Sequence, residues 1–443
     1  MKELSNPSWI LKNGKVNEPL FCDYFKALRK IIYFNGKFYD LNGEISEEAL
    51  STLIYKEISP FVKNKVSQAV KSIVEALRFS AFSEPLKPDL NKIHISNGYI
   101  IVDVNVGEAP KFIAKKEHCL NRLNVEYNPD VWKKCYYPEK FLAFLYDLLD
   151  AEDIVTFQEF LGYCLLPSTK GQSMLSLIGS GGEGKSRITV VLQDIFGNNV
   201  LIGNYQRIET DKFFRYNLRD KLLLLDDDMQ ISALKSTGYI KNIITAETPI
   251  DLEKKGVQSS PNTIYARILT FGNGSPRALY DHSDGYARRL IILKTKPKPA
   301  NRKDNPNLSE IFIEEKLQIF CWMLDGLRRL IKNDYKFTKS EASKANTDEI
   351  MRGSCNIIDF LEDRNAVVFR ENASVSSRIL YDKYYRWCID NTLTEMSRES
   401  FVSWLKNNAA KYNIKYSTHI PYEGKDVRGF KGITTASGSG IIH

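Results

Sequence analysis

Gly179-Ser-Gly-Gly-Glu-Gly-Lys-Ser186 constrains this chain more than any other stretch of its sequence. It fits the pattern of a phosphate-binding loop, and its flanks are what such a loop requires. An apolar strand, Met174 to Ile178, runs into it. A helix leaves it at Lys185, with Ile188, Val191, Leu192 and Ile195 on one face and Gly197 after the end. Glycines let successive backbone N–H groups turn inward around an anion, and the helix N-terminus adds its positive end. Gly179, Ser180, Gly181, Gly182, Glu183, Gly184, Lys185 and Ser186 are therefore assigned to nucleotide binding. Lys185 would reach the β- and γ-phosphates of ATP, and the Ser186 hydroxyl would ligate Mg²⁺.

Strand, loop and helix repeat after this point, which implies an α/β domain with a largely parallel central sheet. Lys221-Leu-Leu-Leu-Leu-Asp-Asp-Asp228 reads as a buried strand ending in carboxylates. Asp226 is the candidate for the metal and Asp227 for the base that activates water, with Asp228 open to either role. Ala266-Arg-Ile-Leu-Thr-Phe-Gly-Asn273 is a further strand, and Asn273 at its end would sense the γ-phosphate or orient the water. Arg288 and Arg289 precede the strand Leu290–Leu293, either as plain surface charge or as an arginine finger offered to a neighbouring subunit. Lys254 and Lys255, at a glycine turn between the acid strand and Asn273, are either plain solvated charge or a hairpin tip that touches phosphates in a central channel.

The rest of the chain divides around this α/β domain. Residues 1–150 read as an N-terminal α+β domain, with hairpins at Asn35-Gly36 and Asn97-Gly98, since type I′ turns need positive φ at both central positions. A helical pattern over Phe141–Leu165 breaks near Asp150 and Gly162. The ATPase domain spans 151–300 and closes on a Pro- and Lys-rich linker, Lys294–Ala300. Residues 301–350 form a helical lid whose apolar face carries Ile313, Leu317, Phe320, Leu324, Leu327 and Ile331. Residues 351–443 suggest a winged helix: two amphipathic segments, a helix capped by Ser397, then strands punctuated by Gly424, Gly429 and Gly432. Arg398, Lys406, Lys411, Lys415, Lys425, Arg428 and Lys431 would let it face duplex DNA.

In this order the elements resemble a superfamily 3 helicase, of the AAA+ class, of the poxvirus and phage primase-helicase type. GYIKNIITAETPIDLEKKG after the acid strand is similar to that family's link to its hairpin. NVEYNPDVW and FQEFLGYCLLP resemble the region before its motor, IIDFLEDR and LYDKYYRWC the region after it. The resemblance implies an AAA+ P-loop ATPase core and a homo-hexameric ring. The ring would hydrolyse ATP while translocating on single-stranded or forked DNA during replication of a phage, plasmid or other mobile element. It also implies Lys255 as the pore lysine and Arg289, or Arg288, as the finger. Origin duplex DNA and a separate primase are further partners of that reading. Relatives end the acid strand in Glu pairs or Asp-Glu, where this chain has three Asp, which leaves the base open. No paired-carboxylate motif precedes the motor, so polymerisation is not expected of this chain.

Composition narrows the alternatives. The formal net charge is +8, from 62 Lys and Arg against 54 Asp and Glu, which permits a nucleic-acid partner without demanding one. Seven scattered cysteines without a CxxC pair imply free thiols in a reducing compartment rather than zinc or disulfides. No signal peptide or membrane span is apparent, which gives a cytoplasmic expectation without a membrane partner. A P-loop kinase or a non-helicase nucleotide-gated ATPase would share the loop but need neither hairpin nor Arg pair.

Overall fold

Leu222–Leu225 is apolar throughout because both faces of the strand it enters are covered. Met174–Ile178, Arg267–Gly272 and Leu290–Leu293 are likewise covered on both faces and buried along their length, with Ser176, Arg267 and Thr270 as polar exceptions. These strands and Val200–Ile202 form one five-stranded, all-parallel sheet in this computed structural model. The structure describes residues 7–134, 137–229, 237–246, 248–254, 256–273, 288–298, 305–354, 356–391, 393 and 395–436. Across the sheet the order is Leu290–Lys294, Met174–Ile178, Arg267–Gly272, Leu223–Met229, Val200–Ile202. The acid strand is thus not the direct neighbour of the loop strand, because Arg267–Gly272 is inserted between them.

Side-chain alternation separates two cores. Leu175, Leu177, Leu223, Leu225, Leu269, Phe271, Ile291 and Leu293 face helices Ala151–Tyr163, Lys185–Phe196 and Lys316–Lys332. Their alternates Met174, Ile178, Leu224, Ile268, Leu290 and Ile292 face Lys212–Asn217 and Gly238–Thr245. This period-two division is what a doubly covered parallel sheet requires.

The N-terminal part has its own core from Trp9 to Ala81, built by helices Glu18–Arg29, Glu47–Ile58 and Val66–Ser80 on a three-stranded sheet, residues 32–45. Its Asn35-Gly36 turn has both residues at positive φ, as expected. At the second expected hairpin Ile95 pairs with Gly98, so the turn residues are Ser96 and Asn97, one position earlier than anticipated. Gly98 sits in the strand because a Cβ there would lie 2.1 Å from the Ile113 carbonyl oxygen. Ile93, Ile95 and Ile100 join the core of the large sheet rather than that of residues 9–81. At the other end, helices Asn356–Glu362, Ser377–Asp390 and Arg398–Asn407 pack on a three-stranded antiparallel sheet ordered Val367–Ser376, Lys425–Thr435, Lys415–Tyr422. Ser397 caps its helix by accepting from Ser400 N at 3.2 Å. Among the described residues no helix is long and apolar enough to cross a membrane.

One helix expectation holds and one needs correction. The helix Ala151–Tyr163 ends one residue past Gly162, as the pattern implied. That glycine is required by contact: a Cβ would stand 2.3 Å from Met323 O, and one on Gly326 would stand 2.3 Å from Gln158 O. The helix expected to run on from Ile313 is interrupted at Glu315, whose carboxylate accepts from Lys140 N and Phe141 N at 3.0 and 2.9 Å. Across the same crossing Arg329 Nε lies 2.7 Å from the fully buried Glu159. Gly326→Ala forces these backbones apart, and overpacking of this kind costs about 1–3 kcal/mol. That outweighs the roughly 1 kcal/mol that alanine gains over glycine in a helix. A denaturant midpoint that fails to drop would disprove the close-crossing argument.

Candidate active site

All five strands point the same way, so every loop at their C-terminal edge opens on one side. Ile178 delivers the glycine loop, Gly272 delivers Asn273 and Lys294 delivers Thr295. Gly181, Gly182 and Gly184 adopt φ of 101°, 78° and 95°, a region L-residues avoid, and this folds the loop back before Lys185 opens its helix. The result is a cleft of about 440 Å³ lined by loop residues 181–187, Asp227, Asp228, Asn273, Asn305 and Leu308.

The Lys185 ammonium is buried here. It donates to Glu183 Oε2 at 2.8 Å and lies 3.5 Å from Asn273 Oδ1. Asn273 also faces Gly181, its amide nitrogen 3.6 Å from where a Cβ on that glycine would stand. The carboxylates emerge through a local irregularity. Asp226 pairs with Thr270 and Met229 with Gly272, so Asp227 and Asp228 together oppose Phe271. Such a bulge breaks the alternation and leaves two successive side chains exposed on the cleft.

Asp226 is buried at the bulge and does not line the cleft. Its Oδ2 accepts from Tyr205 N at 2.9 Å and its Oδ1 from Asp228 N at 3.4 Å. Burial pushes its pKa up despite these bonds. The geometry therefore offers Asp227 and Asp228 to a metal or a water and gives Asp226 the task of holding the strand end, a different division from the one expected.

The Arg pair lies elsewhere in the same subunit. Arg289 O accepts from Met174 N at 2.8 Å, which fixes Arg288 and Arg289 at the N-terminal edge of the sheet. Four strand steps of about 3.3 Å put them roughly 13 Å from Ile178, beyond their own loop. Lys254 is exposed at the end of strand Ile250–Lys254, which forms a hairpin with Val257–Asn262 around Gly256, φ 77°. Lys255 lies outside the described residues.

Whether the loop fits a phosphate can be judged from Glu183. Its side chain, 2% exposed, turns into the loop and takes the donors of an anion site: Ser180 N, Gly181 N at 2.9 Å, and Lys185. Burial works to raise its pKa, but the hydrogen bonds from Lys185 and the loop amides outweigh it and hold the carboxyl below its usual range. The loop is thus shaped and charged for an anion, and a triphosphate suits it. Ser186 with Asp227 or Asp228 would hold Mg²⁺, a hard cation that takes hydroxyl and carboxylate oxygens alongside phosphate and water. Asn305 and Leu308, from the segment past the linker, complete the rim; no motif marked them in advance, because only the return of that segment over the loop brings them there.

A family model described only as a family of unknown function, DUF5906, matches residues 177–289, from the loop strand to the Arg pair. No curated protein matches the chain. Among solved structures it is similar to the apo NrS-1 C-terminal region, residues 305–718, at 15% identity and a TM-score of 0.51, over 94% of this chain and 100% of that one. An A-form apo structure of the same region matches with a TM-score of 0.50, again at 15% identity and the same coverage. At this identity the likeness establishes a shared fold.

Glu183 supplies the prediction. Glu183→Gln keeps an acceptor for the loop amides but removes a charge that competes with phosphate for Lys185. The difference between a charged and a neutral hydrogen bond, about 1 kcal/mol, corresponds to roughly fivefold tighter ATP binding by calorimetry. Weaker binding would show instead that the carboxylate braces the loop in its receptive shape.

Proposed function

We propose that this chain is one subunit of a superfamily 3, AAA+-class DNA helicase, an ATP hydrolase that moves along single-stranded DNA. The observation that carries the reading is the convergence on Lys185: loop amides, Asn273 at 3.5 Å, and the paired Asp227 and Asp228 around one cleft. These groups come from three different strand ends, which a glycine turn without a ligand would not need.

In this reading the chemistry is mostly positioning and charge neutralisation, as phosphoryl transfer demands. Mg²⁺, when bound, spreads the developing charge on the phosphates. Lys185 and the loop amides hold the β- and γ-phosphates. Asn273, between Lys185 and the acids, registers whether a γ-phosphate is present. Asp227 accepts the proton of the attacking water, with Asp228 beside it. Arg288 and Arg289, on the far edge of their own sheet, serve the neighbouring subunit of a homo-hexamer as the finger. Lys254 and Lys255 grip backbone phosphates of the strand. The C-terminal unit, with Arg398–Asn407 and the hairpin of strands Lys415–Tyr422 and Lys425–Thr435, acts as a winged helix for origin duplex DNA. The work belongs to replication of a phage, plasmid or similar element, with any primase supplied separately.

ATP hydrolysis should rise severalfold with single-stranded DNA, a forked duplex should be unwound, and Lys185→Ala should abolish both. Hydrolysis indifferent to DNA, or phosphate transfer to a small molecule, would return the protein to the P-loop kinases. The ring has its own test. An Arg288→Ala/Arg289→Ala variant and Lys185→Ala should each be inactive alone. Mixed, they should regain part of the hydrolysis, because intact arginines on the Lys185→Ala subunits complete the other sites. No recovery on mixing, with assembly verified by mass, rules out a finger supplied in trans.

A further inference from the structure

At the N-terminal edge of the sheet, opposite the nucleotide cleft, lies a larger and strongly polar cleft of about 870 Å³. One wall is the hairpin sheet of the N-terminal part, carrying Lys37, and the segment carrying Lys116 and Arg122. The other is the turn into the acid strand, carrying Tyr216, Arg219 and Lys221. Five basic side chains face two carboxylates, Glu44 and Asp220. Glu44 is taken by Lys37 at 2.6 Å, and Asp220 lies 3.3 Å from Arg219. Lys116 donates to the Asn42 side-chain oxygen at 2.8 Å, and Lys221 donates to the Asn198 carbonyl. Arg122 is committed to backbone carbonyls of Ile95 and Glu117. The cations of Lys116 and Lys221 are therefore hydrogen-bonded to neutral oxygens.

A second observation says what runs through it. Helix Lys212–Asn217 joins this wall to the Lys254 hairpin: Lys212 pairs with Glu253 at 2.6 Å, and the Lys254 ammonium sits 5.9 Å from the centre of the Tyr216 ring. Tyr216 itself lines the cleft. Basic groups and a tyrosine thus follow one another from the hairpin tip into the interdomain space, the combination of phosphate contacts and aromatic surface that binds single strands without sequence preference.

We propose that the interdomain cleft is a second contact for single-stranded nucleic acid, continuous past Tyr216 with the Lys254 hairpin, in which Lys116 and Lys221 hold successive phosphates. The inference rests on the single-strand motor reading, which names the hairpin as the moving grip; the cleft is the passive track that keeps the strand while the grip resets.

The test uses the full chain and a fluorescein-labelled oligothymidine over a salt series. Lys116→Gln/Lys221→Gln should bind roughly 25-fold more weakly at about 0.1 M salt and lower the log–log salt slope by about 1.4, or about 0.7 for each phosphate no longer neutralised. DNA-independent ATP hydrolysis should be unchanged, and Lys116→Arg/Lys221→Arg should bind normally, which separates a missing charge from a failure to fold. A strand carrying 4-thiothymidine should photo-crosslink to peptides from residues 35–46 or 216–221 as well as to the hairpin. Unchanged affinity and slope in the Gln variant, with crosslinks confined to the hairpin and binding weakened by Lys254→Ala, would overturn the cleft and leave the motor standing. A wild-type protein that binds no oligothymidine at all would overturn both.

Discussion

The hydrogen-bonded insertion of strand Arg267–Gly272 between the loop strand and the acid strand organises everything that follows. Pairing Leu269 with Leu175 on one side and Leu225 on the other sets the three strands in a common register and direction. Their ends then fall at one edge, and the residue that follows the middle strand stands between phosphate loop and carboxylates. A polar residue placed there must face both. Asn273 owes its contact with Lys185 to that register, and Arg267, buried at the other end of the strand on Tyr163 Oη at 2.7 Å, anchors it.

Charge in the cleft at the glycine loop is arranged around the buried Lys185 ammonium. Glu183 engages Lys185 from within the loop, and Asn273 approaches it from the neighbouring strand. A buried cation in such company is satisfied, and any anion entering the loop would compete with a carboxylate rather than with bulk water. The acids opposite are exposed for a different reason. The bulge at Asp227 and Asp228 interrupts strand alternation at the one place where two adjacent carboxylates must share a face. Asp226 supports this turn through Tyr205 N, so the three aspartates divide into one structural and two cleft-facing groups.

The two edges of the sheet carry different tasks. The C-terminal edge collects glycine amides, ammonium and carboxylates, while the N-terminal edge collects the arginine pair and the basic interdomain cleft. Helix Lys212–Asn217 packs against the hairpin beside it through Lys212–Glu253 and Lys254 over Tyr216, and it follows closely in the chain on Tyr205, which donates to Asp226 at the end of the acid strand.

Much of this was readable in the residues themselves. Glycines at fixed offsets before Lys185 specify a left-handed backbone path that few other sequences adopt, and uniform apolar runs specify strands buried on both faces. Local patterns of this kind are chemically self-contained, so the loop, the sheet strands, the first hairpin and the Ser397 cap follow from sequence alone. What depended on distant partners did not. Gly162 marks the end of its helix in the sequence, but only the crossing with Gly326 shows why it must be glycine; Gly98 looked like a turn residue, and only the Ile113 carbonyl shows why a strand position there needs glycine. The mostly polar strand Val367–Ser376 has no alternation to announce it and is held by its antiparallel pairing with Lys425–Thr435, which begins with Val367 opposite Thr435. Strand order, the exposure of Asp227 and Asp228 over Asp226, the inward turn of Glu183 and the basic cleft were decided by tertiary structure, because register, bulge and domain apposition are set by contacts between residues far apart in the chain.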